Sequence, residues 1–117
     1  MKKSNYKEGI ESTFTHFGNE YRVDDLIGLA NDKRETALKI KDLDWVFVYS
    51  QPDPKRVKKA SLEFPIIVVK DEVDGEMKYI VLDGLHRLAR AKSEGRSYVI
   101  CKVVTKEEIE KLERVKA

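Results

Sequence analysis

The alternation of hydrophobic and polar positions along the chain predicts a helix followed by the order β-α-β-β-α-β-α. Apolar residues recur at helical spacing over residues 23–38, with Asp24 as the expected N-cap. Asn31-Asp32 leaves open whether this segment is one helix or two pieces. The next predicted element is a strand over residues 45–49, which are β-branched and aromatic. A short helix over residues 55–62 follows, with Asp53 as its cap.

The second half of the chain has clearer boundaries. Residues 64–69 form a continuous apolar run, which predicts a strand buried on both faces. Asp74-Gly75 is typical of a hairpin turn before a return strand over residues 79–82. We then expect a helix from residue 83 that Gly95 ends and a strand over residues 98–104. A last helix follows, with Thr105 and Glu108 in a capping-box pattern.

Length and charge limit the classes of protein to consider. The chain has 117 residues, which favours a single core, and 23 Lys and Arg against 21 Asp and Glu give a net charge of +2. Because the charges are nearly balanced, binding of a nucleic acid would depend on a local patch of positive charge. The apolar runs are too short to span a membrane, and the N-terminus lacks the apolar stretch of a secretory signal. We therefore expect a cytoplasmic protein without a membrane partner.

The chain has few residues suited to metal or thiol chemistry. Cys101 is the single cysteine, which excludes an internal disulfide and a thiolate zinc cluster, and it falls in a predicted strand, which favours burial. His16 and His86 lie far apart, so the sequence predicts no protein-held metal site. Packing is the favoured role for His16.

The candidate chemistry lies where a predicted strand meets a predicted helix. The first turn of a helix has backbone N–H groups without partners, and its dipole favours an anion. Gly84 permits close approach of a ligand, and the spacing of His86, Arg87 and Arg90 predicts a shared helix face. We expect phosphate contacts from Gly84, Leu85, His86, Arg87 and Arg90, and catalytic roles for His86 and Asp83. The alternative is an ordinary turn with solvated arginines.

Residues 80–91 (IVLDGLHRLARA) resemble the phosphate-binding box of the ParB/sulfiredoxin-like superfamily. Residues 51–57 (QPDPKRV) and 64–69 (FPIIVV) are similar to its first helix and its Pro-Ile strand. The resemblance implies an α+β fold with a small mixed sheet and helices over residues 39–117, preceded by an N-terminal arm and helix over residues 1–38. It also implies that the box binds a nucleotide, CTP or ATP/ADP, with Mg²⁺.

The chain departs from the catalytic patterns of these relatives. Sulfiredoxins have a reactive cysteine where this chain has Leu85, and the archaeal free-serine kinases have a glutamate where it has Ser50 or Gln51. The chain is too short for the DNA-binding and dimerisation domains of partition proteins, so we do not expect a complete one. Three functions follow: a nucleotide hydrolase or phosphotransferase, a DNA-binding or nuclease module, or a non-catalytic regulator. The oligomeric state stays open.

Several other residues have both a functional and a simpler interpretation. Lys55, Arg56, Lys58 and Lys59 form a basic helix that suits a nucleic-acid backbone, although a solvated face is favoured. Asp42 and Asp44 could hold Mg²⁺ with the phosphates, and solvation is again the simpler expectation. Trp45 is expected in the core or as a lid over the nucleotide base.

Overall fold

The computed structural model describes residues 13–115, which form two sheets and four α-helices. The N-terminal part comprises β1 (Thr13–His16), β2 (Asn19–Arg22) and α1 (Val23–Ala30). The elements that follow are β3 (Glu35–Lys39), α2 (Pro54–Lys59), β4 (Ile66–Val73), β5 (Glu76–Asp83), α3 (Leu85–Ser93), β6 (Tyr98–Val104) and α4 (Lys106–Glu110). The mixture confirms the expected α+β class.

The larger sheet has the strand order β3-β6-β4-β5. Strands β4 and β6 are parallel, whereas β3 pairs with β6 and β4 with β5 in antiparallel fashion, so the sheet is small and mixed as expected. Strand β4 is central and buried on both faces, which confirms the prediction from its apolar run. Val68 packs in a cluster with Leu88 of α3, and Val69 packs on the other face with Leu26 of α1.

The first predicted helix is shorter than its apolar spacing indicated. Helix α1 ends at Ala30, and residues 35–39 form β3, so the helical prediction for this end of the segment is wrong. Strand β3 pairs along its whole length with β6, and this long-range pairing outweighs the local spacing. Asp24 is also not the N-cap, because the helix begins at Val23 and Arg22 occupies the capping position.

The strand predicted over residues 45–49 is a 3-10 helix, Asp44–Val48, which follows another at Ile40–Asp42. Tight backbone bonds close it, from Val46 to Leu43 and from Tyr49 to Val46. The indole Nε1 of Trp45 donates to the carbonyl of Tyr79 at 3.0 Å, which fixes this segment against β5 through a side chain. The β propensity of these residues therefore serves packing without a strand pairing.

Most predicted termini are confirmed. Asp74 and Gly75 have φ values of 53° and 84° in the β4–β5 turn, and Gly95 has a φ of 77° after α3. Thr105 and Glu108 form both hydrogen bonds of the capping box. Asp53 caps α2, which ends at Lys59 and so stops short of the predicted residue 62.

The N-terminal hairpin packs onto the same core as α1. Phe14 and Tyr21 are buried in the cluster that contains Val69 and Ile109, so residues 13–22 lie on the core as a strap. Residues 1–12 of the predicted arm lie outside the described residues, and the proposed division after residue 38 stays a prediction. Within residues 13–115, no helix is long and apolar enough to cross a membrane.

Candidate phosphate-binding site

An open cleft of about 450 Å³ lies between α2 and the beginning of α3. Two segments line it. One comes from α2 and the loop after it, and the other is the strand-to-helix turn that the sequence singled out. The lining residues are Arg56, Lys59, Ala60, Ser61, Phe64, Asp83, Gly84, Leu85, His86 and Arg87. The fold thus brings the predicted box and the basic helix to one place.

Gly84 sets the geometry of the turn. It has a φ of +111° at the N-cap of α3, a backbone conformation that side chains disfavour. A Cβ atom at this position would lie 3.0 Å from Cγ1 of Ile66 on the neighbouring strand. Helix α3 can therefore begin directly at the end of β5, where the first amides have no carbonyl partner within the helix. Those amides belong to Leu85, His86 and Arg87, all of which line the cleft.

The surroundings of His86 favour its neutral form. Its Nε2 accepts a hydrogen bond from the backbone N–H of Asp53 at 3.1 Å. Burial lowers the pKa of His86, the nearby Arg56 charge lowers it further, and Asp53 acts in the opposite direction. The neutral ring with an accepting Nε2 carries its proton on Nδ1. His86 therefore has one N–H to offer a ligand.

Arg87 forms the wall of the cleft and is partly engaged within the protein. One terminal nitrogen donates to the carbonyl of Pro65 at 2.6 Å, and the other donates to Oδ2 of Asp83 at 3.0 Å. A guanidinium has five N–H donors, so these contacts orient the group and leave donors for an anion. Asp83, one of the two predicted catalytic residues, is committed to this ion pair.

Arg90 is not among the residues that line the cleft. Its guanidinium donates to the carbonyls of Lys58 and Ala60 at the end of α2, and its Nε donates to Glu94 at 3.0 Å. Although Arg87 and Arg90 were expected to face the same phosphate, only Arg87 of the two lines the cleft. Arg90 instead ties the C-terminal end of α2 to α3, which keeps α2 beside the turn.

Arg56 and Lys59 are the cleft residues to which the sequence analysis gave the lesser role. They are three apart on α2 and so share a helix face, and that face borders the cleft. The i, i+3 spacing was a usable signal. The sequence could not indicate the position of α2 relative to α3, because that position depends on tertiary contacts such as those of Arg90.

The cleft has little to offer a metal ion. Among the described residues that line the cleft, Asp83 is the one carboxylate, and it forms an ion pair with Arg87. Asp44 pairs with Lys92 and lines a different cleft, and Asp42 does not line this one. Across residues 13–115, no group of three or more His, Cys, Asp or Glu side chains could hold a metal. The described side chains that line this cleft therefore do not form a magnesium site of their own.

Cys101 is unsuited to nucleophilic chemistry. It is fully buried in β6, and burial raises the pKa of its thiol to about 12. The thiolate, which is the reactive form, is therefore absent at neutral pH. The sequence-based expectation of a buried apolar role is confirmed.

No protein-family model and no curated protein matches the chain. Among solved structures, the chain is similar to sulfiredoxin from Arabidopsis thaliana, with 25% sequence identity and a TM-score of 0.46. The match covers 66% of this chain and 93% of the sulfiredoxin chain.

Proposed function

We propose that this protein binds the phosphates of a nucleotide in the cleft between α2 and α3. The observation that carries the proposal is the convergence of three cations, Arg56, Lys59 and Arg87, on the amide end of α3. Free amides and guanidinium groups are the donors that phosphate oxygens require. The volume of about 450 Å³ falls within the range of small-molecule sites.

The contacts of the two predicted catalytic residues favour binding over turnover. Hydrolysis or phosphoryl transfer needs a group that positions or deprotonates the attacking oxygen. Asp83 is paired with Arg87, and Nε2 of His86 already accepts the N–H of Asp53. We therefore propose a nucleotide-binding regulator of the cytoplasm, with CTP, ATP or ADP as candidate ligands. Any Mg²⁺ would arrive bound to the nucleotide phosphates, with water molecules as further ligands.

Thermal unfolding with CTP, ATP, ADP and GTP, each with and without Mg²⁺, tests the proposal. At least one nucleotide should raise the midpoint, because a ligand that binds only the folded state stabilises it. The double variant Arg56→Ala/Lys59→Ala should weaken that nucleotide by at least about tenfold, since each side chain can supply a charge-assisted hydrogen bond. Arg87→Ala should abolish most of the affinity.

Lys111→Ala provides a matched control, because Lys111 is exposed at the C-cap of α4 and does not line the cleft. It should bind nucleotide as the wild type does. The absence of a shift with every nucleotide would contradict the proposal. So would a double variant that binds as tightly as the Lys111→Ala protein.

A further inference from the structure

The phosphate cleft continues into two further clefts on the same surface. It shares Phe64 and Arg87 with a second cleft of about 180 Å³. That cleft shares Arg96 and Tyr98 with a third, of about 510 Å³, which lies at the other end of α3. The three clefts adjoin through these shared residues and are together called the basic band here. Its length is set by α3, whose nine residues span roughly 13 Å.

The basic band concentrates the positive charge of the protein. Within residues 13–115, seven cations line it: the three of the phosphate cleft, Arg96, and Lys39, Lys41 and Lys92 of the third cleft. The same described lining includes two carboxylates, Asp83 and Asp44, and each is paired with one of these cations. Residues 13–115 contain 19 cations and 19 carboxylates, so the described residues outside the band have 12 cations against 17 carboxylates and are net negative. This distribution favours the approach of a polyanion to the band.

Two exposed aromatic rings interrupt the cations at the joins between the clefts. Phe64 is 62% exposed where the first cleft meets the second, and Tyr98 is 54% exposed where the second meets the third. Recognition of phosphate alone requires hydrogen-bond donors and positive charge, and it does not require exposed aromatic rings. Alternation of cations with aromatic platforms is instead the arrangement that binds a backbone and stacks unpaired bases.

We infer that the basic band binds single-stranded nucleic acid. The backbone follows the cations from Arg56 to Lys41, and bases stack on Phe64 and Tyr98. A duplex presents no free base faces to these rings, so it gains only the electrostatic contribution. This inference goes beyond the proposed nucleotide site, because it also uses the third cleft. Lys39 and Lys41 of that cleft make no ion pair with any residue in the described part of the chain, so both charges are available to a phosphate backbone.

Fluorescence anisotropy with labelled oligothymidylate and oligouridylate of about twelve nucleotides tests the inference. Both arms report the shared single-strand chemistry, and their ratio shows whether DNA or RNA is preferred. Phe64→Ala and Tyr98→Ala should each weaken binding by at least about fivefold. Lys39→Ala/Lys41→Ala should reduce the slope of log affinity against log salt by about 0.7 for each phosphate that the variant no longer neutralises.

Met77→Ala and Lys111→Ala are the matched controls, because both residues are exposed and lie outside the basic band. No binding at low salt would overturn the inference. Equal affinity for a duplex of the same length would also overturn it, as would aromatic variants that bind like Met77→Ala. Tyr98→Ala should leave the nucleotide-induced thermal shift unchanged, so failure of the nucleotide site and failure of the basic band give different results.

Discussion

The two described histidines lie in regions that are built in opposite ways. His16 lies in β1 and is 5% exposed, packed against the central strand of the larger sheet. His86 lies in the first turn of α3 at the open cleft. Burial lowers the pKa of both side chains. The same residue type with the same direction of shift therefore occurs in a closed region and in an accessible one.

The partners of the two rings distinguish their roles. Nε2 of His16 lies 3.3 Å from Oδ2 of Asp71, close enough for an ion pair, and among residues 13–115 neither atom has a hydrogen-bond partner. The other oxygen of Asp71 accepts the N–H of Glu72. His86 accepts one backbone N–H and keeps a donor at the cleft. A buried polar pair has only itself to satisfy it, whereas a half-satisfied group beside solvent retains capacity for a ligand.

The largest expected effect compares the two histidines directly. His16→Ala should lower the free energy of unfolding by about 2–4 kcal/mol, because it leaves the buried Asp71 carboxyl group without its partner and opens space in the core. His86→Ala should cost about 1 kcal/mol or less, since one hydrogen bond at an open site is removed. Urea denaturation of the two variants measures both values. Equal losses would contradict the contrast between the two regions.

The next effect concerns the turn that forms the cleft. Gly84→Ala should destabilise the protein by about 2–3 kcal/mol, from backbone strain and from the contact with Ile66. Gly75→Ala is the matched control, because Gly75 has a φ of +84° but no atom within 4 Å of an added Cβ. It should cost about 1–2 kcal/mol from strain alone. Chemical denaturation measures the free energy of unfolding of both variants. A larger loss in Gly75→Ala than in Gly84→Ala would refute the packing argument.

The smallest effect is the dependence of stability on pH. Burial lowers the pKa of His16, Lys106 lowers it too, and Asp71 and Glu110 oppose them. A lowered folded pKa means that the unfolded chain binds the proton more readily, so this stability is present above about pH 6.5 and is lost as pH falls through the folded pKa. The unfolding midpoint should fall on acidification from pH 7 to pH 5. His16→Gln should flatten this decline more than His86→Gln does, and the reverse order would contradict the contrast.

The sequence predicted the elements whose signals are local. Asp53, Thr105 and Glu108 satisfy amides within their own helices, and Asp74-Gly75 adopts a turn that neighbouring residues need not impose. The predictions failed where distant residues decide. Residues 35–38 had helical spacing, but their backbone groups pair with β6, more than 60 positions further along the chain. Trp45 had β propensity, but its indole bonds to the carbonyl of Tyr79.

The sequence by itself determined where a phosphate site could begin, because a glycine followed by a helix start leaves free amides whatever the rest of the chain does. Tertiary structure alone decided which side chains join those amides. It placed Arg56 and Lys59 at the cleft, joined Arg87 to the carbonyl of Pro65 and directed Arg90 to the end of α2. The physical reason is range: capping and turn formation act within a few residues, whereas convergence of charges depends on how the helices pack on the sheet.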